Sequence, residues 1–408
     1  MKILHTSDWH IGSTFFGKKR YEEYSEFFAW LLDFIQQNQI DVLLVSGDIF
    51  DTSLPSNTAQ NLYYSFLVNL QKTPCKHVVI TGGNHDSPSF LNAPKDLLKS
   101  FNIHVIGSVP QNIAEEIIAI TINNEEIVVL AVPFLRERDL QDIAITDNFE
   151  TRAEKIIDAV KNHYARLTEL ALKNKNPKSP LIAMGHLYIA GSHLEEEGER
   201  ELYIGSLAQI SANIFPAEID YAALGHIHSA QKIAKTEHIR YCGSPLAMNF
   251  SENKFTKKMF LLETGETLKI QEIPIPEFQI TRKICGNLTT IQEKIEEFKT
   301  LNQSVWLEIE YTGQEETFSK DILFELVKDS KIEILKFKNQ KNLHTFSKSE
   351  IIQQNLEELT PLTIFNEYIL NNKTNTGEEE KFSEEEKQEL LSCYHEILNH
   401  LQEQDTNE

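Results

Sequence analysis

At 408 residues, 41% of them hydrophobic, the chain exceeds one ordinary domain and predicts a large folded unit with smaller ones attached. The opening MKILHTSD lacks a charged leader, no run approaches about 18 uncharged apolar residues, and Cys75, Cys242, Cys285 and Cys393 form no CxxC pair; a signal peptide, a membrane span, a disulfide framework and a cysteine zinc site are therefore excluded, and a cytoplasmic location is expected. The net charge of −22, of which residues 377–408 with 11 acidic and 2 basic side chains carry −9, runs against the basic footprint of a nucleic-acid enzyme: either the substrate is not DNA, or metals and a partner supply the positive field.

In chain order, Ile3–His5, Val42–Ser46, Val78–Thr81 and Leu181–Gly185 read as buried strands, apolar and partly β-branched, each running into a polar loop. Between the first two, Phe27, Phe28, Leu31, Leu32 and Ile35 give Tyr21–Gln37 a helical period. Ile117–Ile122 and Ile127–Val132 flank Asn123-Asn124, a hairpin pattern, and Thr151–Lys173 is a second long helix. Ile273-Pro274-Ile275-Pro276 marks a boundary. Beyond it, Gln279–Lys283, Leu288–Lys299, Val305–Tyr311, Lys320–Lys328 and Ile332–Phe337 read as a small β-α-β-α-β module. Near the end, Thr360-Pro361 and the Ser383 capping box predict two more helices around a polar linker at 371–380. The expected division is 1–272, 277–345 and 347–408.

The chemistry-bearing residues sit just after the strands: Asp8-Trp9-His10, Gly47-Asp48-Ile49-Phe50-Asp51, Gly83-Asn84-His85-Asp86, Gly185-His186 and Gly225-His226-Ile227-His228. One such pair alone is an ordinary turn or a satisfied histidine. All five in order, each at a strand end where side chains can converge on a rigid rim, predict a metal site. Carboxylates, imidazoles and an amide oxygen suit Mn²⁺, Fe²⁺ or Zn²⁺. Two dications about 3.5–4 Å apart need a bridging carboxylate, and Asp48 is the natural one. Asp8, His10 and His228 complete one ion; Asn84, His186 and His226 complete the other. Two carboxylates against two dications leave a cationic pocket, which partly answers the acidity of the chain.

At these residues the sequence resembles the calcineurin-like metallophosphoesterase superfamily, and within it the SbcD family of double-strand-break repair nucleases. The words that carry the likeness are LHTSDWHIG, VSGDIFD, TGGNHDS, MGHLYIAGS, ALGHIHSAQ and YCGSPLAMNFSE, all within the first 250 or so residues. The resemblance implies an α/β fold, a four-layer α-β-β-α sandwich with a small α+β capping domain and C-terminal helices. It implies a two-metal phosphodiesterase using Mn²⁺, with ATP-linked 3′–5′ exonuclease and endonuclease action on double-stranded DNA ends and hairpins at the nucleoid. The implied partners are a second copy of the chain and two SbcC-type ABC ATPases with coiled coils. Position by position it assigns Asp8, His10, Asp48, Asn84, His186, His226 and His228 as ligands and His85 as the acid for the leaving oxygen, with Asp86 placed to orient that ring. Archaeal relatives tend to have histidine where Asp51 stands, so no transition-state role passes to Asp51.

Three flanking features have a functional and a bland reading. Residues 328–348 hold six lysines against two acids, either a DNA-facing strip that includes Lys336, Lys338 and Lys341 or a lysine-protected sheet edge. Leu390, Leu391, Tyr394, Ile397, Leu398 and Leu401 form an apolar stripe that grips a partner coiled coil, or packs internally. Trp9 and Tyr188 border the motifs as substrate contacts or as packing. The competing functions are a phosphatase or cyclic-nucleotide phosphodiesterase with the same centre, and an inactive scaffold.

Overall fold

The computed structural model describes residues 1–136, 139–140, 149–189, 210–233, 236–313 and 320–339. The expected region 347–408, its two helices and Lys341 lie outside the described residues. In chain order the strands and helices are β1 (Lys2–Thr6), β2 (Thr14–Phe15), β3 (Lys18–Lys19), α1 (Tyr21–Asn38), β4 (Val42–Ser46), α2 (Asn57–Leu70), β5 (His77–Thr81), α3 (Pro88–Asn92), α4 (Lys95–Lys99), β6 (Ile103–Ile106), β7 (Ile117–Ile122) and β8 (Glu125–Ala131). They continue with α5 (Phe149–Asn174), β9 (Leu181–His186), β10 (Tyr221–Gly225), β11 (Gln231–Lys232), β12 (Ile239–Tyr241), β13 (Lys258–Glu263), β14 (Lys269–Pro274), β15 (Ile280–Gly286), α6 (Leu288–Lys299), β16 (Val305–Tyr311), α7 (Lys320–Val327) and β17 (Ile332–Asn339).

Two six-stranded sheets stack face to face, ordered β14-β13-β1-β4-β5-β6 and β11-β12-β10-β9-β8-β7. Their inner faces meet in one apolar layer, where Ile3, Val42, Leu44 and Val79 of the first sheet pack against Ile120, Val129, Ile182 and Ala223 of the second. The outer face of the first sheet is covered by α1 and α2 through Phe27, Leu31, Tyr63 and Phe66. The outer face of the second is covered by α5 through Ile156, Val160, Tyr164 and Leu167. The order of layers is α-β-β-α. Strands buried on both faces must be apolar throughout, which is why Val42–Ser46, Leu181–His186 and Tyr221–Gly225 are buried at every position and show no alternation.

Local signals set the ends of these elements. The Ser56 side chain accepts from Ala59 N–H to start α2, and Gln39 in the left-handed region closes α1 by donating to the Ile35 carbonyl. Asn123 and Asn124 both have positive φ, at 51° and 67°, matching the tight reversal between the antiparallel strands β7 and β8.

Beyond Pro276, β15 runs parallel to β16 in a three-stranded sheet ordered β15-β16-β17, with α6 and α7 on one face over Ile284, Ile291, Ile295, Leu307, Ile309 and Leu323. Asn287 caps α6 by accepting from Thr290 N–H. The opposite face docks on the β2–β3 hairpin: Trp306 stacks on Phe15 at 5.7 Å between centroids, Phe15 meets Phe250 at 4.8 Å, and Lys18 pairs with Glu333.

Candidate metal centre

Every motif residue lies at or just beyond the carboxyl end of a strand. From the first sheet, β1 delivers Asp8 and His10, β4 delivers Asp48 and Asp51, and β5 delivers Asn84 and His85; from the second, β9 ends in His186 and β10 leads into His226 and His228. The strands β1, β4 and β5 are mutually parallel, and so are β9 and β10, so all five ends open on one rim. Convergence there needs unusual backbone. Asp8, His10, Asp48 and His226 all have positive φ, at 51°, 45°, 49° and 98°, a region that disfavours side chains. The loops hold one another in it: Asp8 N–H donates to the Gly47 carbonyl and His10 N–H to the Asp48 carbonyl, both at 3.0 Å.

The motif glycines have a steric cause. A Cβ on Gly47, itself at positive φ, would lie 2.1 Å from His186 Nδ1. One on Gly225 would lie 1.9 Å from the Ser46 carbonyl oxygen. The two sheets therefore meet backbone against side chain at the floor of the site, and only glycine fits the seam.

Three groups of donors result, two of them from the residues expected as ligands and one at the rim from His10, Asp51 and exposed His85. Asp8, His10 and His228 offer ligand atoms within 4.8 Å of one another, and so do Asp48, His186 and His226. In the first, His10 Nε2 is 3.1 Å from His228 Nε2. In the second, Asn84 Oδ1 lies 3.0 Å from both His186 Nε2 and His226 Nδ1. Asp48 Oδ2 stands between the groups, 3.2 Å from His186 Nε2 and 3.6 Å from His10 Nε2. Two ligand atoms about 2.1 Å from one cation, at a right angle, are about 3 Å apart, so this donor set fits a pair of divalent ions. Backbone N–H groups steady the carboxylates, His226 N–H donating to Asp8 Oδ1 at 2.7 Å and His85 N–H to Asp48 Oδ1 at 2.9 Å.

The electrostatics follow from burial opposed by pairing. Burial would raise the Asp48 carboxyl, but His186, and then His10 and His85, hold it well below the usual carboxylate range. Burial would lower His186, yet Asp48 and Asp8 bring it up to about 9, so without a cation the two form a charged pair. Burial and the nearby His186 push His226 well down, leaving a neutral ligand. His186 would give up its ring proton on holding a cation here.

All seven side chains nominated from the sequence as ligands come together, with His85 at their exposed rim. Asp86 departs from expectation. Its buried carboxylate accepts from the backbone N–H of Ile49, Phe50 and Gly83 at 3.1, 3.0 and 2.8 Å, stitching the Asp48 loop to the Asn84 loop. The His85 ring is instead held by the Asp51 carbonyl oxygen, 2.9 Å from Nδ1. Both oxygens of Asp86 are thus engaged by backbone, while the ring's Nδ1 is taken by the Asp51 carbonyl. The Asp51 carboxylate faces His10 Nδ1 at 3.4 Å. Trp9 is packing: it is fully buried, its Nε1 donates to Thr6 Oγ1 at 3.0 Å, and Phe28 and Phe66 meet it edge-on.

Phe134 and Arg136 neighbour the centre without belonging to any motif, and Glu252, the last residue of YCGSPLAMNFSE, carries no role read from the sequence. Phe134 stacks along His226 at 6.3 Å and meets His186 edge-on. Arg136 donates to the carbonyls of Gly83 and Asp86, bracing the Asn84 loop from behind. Glu252 lies 3.7 Å from His228 Nδ1; burial would raise its carboxyl, but Lys257 and His228 bring it down to about 2. Both Phe134 and Arg136 sit in an apolar-to-basic run after β8, and only its position behind a strand end hinted at the site.

The calcineurin-like phosphoesterase family matches residues 1–230, more than half of the chain. Fold and donor set together define a metal-dependent hydrolase of phosphodiester bonds in that class, and the class implies divalent cations at the groups just described. The chain is 37% identical over 320 residues to the SbcD subunit of the SbcCD nuclease of Escherichia coli K12, spanning 77% of this chain and 79% of that one. It is 33% identical over 284 residues to the same subunit of Rhodobacter capsulatus, spanning 68% and 69%. The Bacillus subtilis 168 subunit is 30% identical over 319 residues, spanning 76% and 78%. A second family, described as the type 5 capsule protein repressor C-terminal domain, matches residues 277–373. The chain belongs to the SbcD family of nuclease subunits. No described helix is long and apolar enough to cross a membrane.

Proposed function

We propose that this chain is the manganese-dependent nuclease subunit of an ATPase-coupled complex that processes double-stranded DNA ends and hairpins, acting as 3′–5′ exonuclease and endonuclease. The observation that carries the reading is Asp48 Oδ2, set between two histidine-containing groups at 3.2 and 3.6 Å. Asp8, His10 and His228 would hold one ion and Asn84, His186 and His226 the other, with Asp48 shared. A bound pair of divalent cations supplies hydroxide near neutral pH and offsets charge on the phosphate oxygens. Around them the chain's own residues do the positioning. Asp48 is kept anionic by His186, and Asn84 lends a neutral oxygen that adds no charge. His85, with Nδ1 engaged by the Asp51 carbonyl, turns Nε2 towards arriving substrate and protonates the leaving 3′-oxygen.

The proposed division of labour is a phosphoesterase domain at 1–272, a capping domain at 277–345 and an ATPase-binding helical region at 347–408, in a heterotetramer built on a homodimer. Lys336 and Lys338 are proposed to contact the DNA backbone together with Lys341. Both described lysines also reach the buried Glu308, at 3.8 and 3.4 Å, and Lys336 lies 4.6 Å from the Phe16 ring centroid. Their charge is thus partly compensated, so each adds a modest phosphate contact. Neutralising both is expected to reduce the slope of log affinity against log salt by about one to two units. A slope equal to that of the unsubstituted protein returns them to the role of a protected sheet edge.

Cleavage of linear duplex DNA, compared with bis-p-nitrophenyl phosphate in the presence of Mn²⁺, tests the reading. Mn²⁺-dependent cutting of duplex ends by the full complex is expected. Turnover of the small ester alone would select a phosphodiesterase acting on another substrate, and turnover of neither would leave a scaffold. Deleting residues 378–408 is expected to abolish co-purification with a coiled-coil ATPase while leaving Mn²⁺ binding intact.

A further inference from the structure

The segment after β12, from Gly243 to Glu252, takes no part in the chemistry proposed so far. Glu252 lies there with only 2% of its surface exposed, an unusual place for a glutamate. Its Oε1 is 3.7 Å from His228 Nδ1. The other ring nitrogen, Nε2, is 3.1 Å from His10 Nε2, inside the first donor group. Met248 N–H, Asn249 Nδ2 and the Lys257 ammonium also donate to the Glu252 carboxylate. Lys257 then donates to the His228 carbonyl at 3.0 Å and to Ser244 Oγ at 2.9 Å. One lysine therefore ties the carboxylate to the backbone of the residue whose ring that carboxylate faces.

We propose that Glu252, locked by Lys257, is a positioning residue whose carboxylate faces the Nδ1–H of His228, keeps the proton on that nitrogen and so presents an unprotonated Nε2 to the cation shared with Asp8 and His10. This rests on the two-cation reading given above. An imidazole that binds a cation through one nitrogen carries its proton on the other, and a carboxylate facing that proton fixes the tautomer and strengthens the ligand. The second donor group is backed differently: His186 Nδ1 lies 3.0 Å from the neutral Ser46 carbonyl. Lys257 supplies the counter-charge without which a buried carboxylate would be costly. Met248 N–H donates to Oε2 and Asn249 Nδ2 to Oε1, so the single oxygen of a glutamine keeps one of the two neutral contacts that knit the loop.

Mn²⁺ titration of the full chain, read by the electron paramagnetic resonance of free Mn²⁺, tests the assignment without any turnover. In Glu252→Gln, one of the two binding events is expected to weaken about 10- to 100-fold while the other keeps the affinity of the unsubstituted protein. That variant leaves Lys257 buried without an anion, so the doubly neutral E252Q/K257M is titrated beside it and is expected to show the same selective loss. Unchanged affinity in the double variant, or equal weakening of both events, overturns the role of Glu252. Asp8→Ala separates the two readings: if it too leaves both events intact, the cation assignment itself is wrong.

Discussion

Replacing Asp48 by alanine is expected to remove both cations from the protein and to lower phosphodiester cleavage by at least about three orders of magnitude, since several kcal/mol of charge stabilisation go with them. The cause is position. Asp48 Oδ2 approaches a ligand nitrogen of each donor group, His186 Nε2 at 3.2 Å and His10 Nε2 at 3.6 Å, and its Oδ1 also accepts the His85 N–H at 2.9 Å, so the Asn84 loop loses an anchor at the same time. His186 would lose the partner that keeps it protonated in the cation-free chain. Metal content by mass spectrometry under native conditions, alongside turnover of duplex DNA, decides the matter. A variant that still holds two Mn²⁺ would show that the groups are independent sites and that Asp48 bridges nothing.

His85→Ala is expected to behave in the opposite manner, losing about two to four orders of magnitude in turnover while both cations stay bound. His85 is the exposed member of the constellation, and its ring is oriented by the Asp51 carbonyl at 2.9 Å, a contact that no side-chain change at Asp51 or Asp86 removes. Asp86→Asn should therefore cost stability, through three weakened backbone contacts, more than it alters the leaving-group step. Substrates with a nitrophenolate leaving group, which needs little protonation, give the sharper reading: they should be hydrolysed by His85→Ala with a much smaller loss than DNA. An equal loss on both substrates would assign His85 to holding the substrate.

The small module and the metal rim were legible to different degrees. Alternating helix and strand patterns beyond Pro276 match the observed elements closely, Leu288–Lys299 and Val305–Tyr311 to the residue, because each carries its own caps, buried stripe and turn residues. The short hairpin of β2 and β3 was not legible. Phe15 and Trp306 are far apart in the sequence, and only their stacking at 5.7 Å shows that the hairpin is a docking surface. Lys336 and Lys338 read from the sequence as a DNA-facing strip or a lysine-protected sheet edge, with no partner for either charge. Their ion pairs with Glu308 appear only once β16 and β17 lie side by side.

What the amino-acid order alone determined is the strands that lead into the motifs, the polar residue closing each, and the glycines beside them, since strand burial and a forbidden Cβ leave marks at single positions. Which carboxylate serves which ring was decided by tertiary structure. Asp86 turned out to clamp backbone, Glu252 to face His228 from 24 positions away, and Arg136 to brace the Asn84 loop. A hydrogen bond between distant loops depends on the twist and stacking of two whole sheets, and a polar side chain bears no local trace of the partner that the stacking will bring to it.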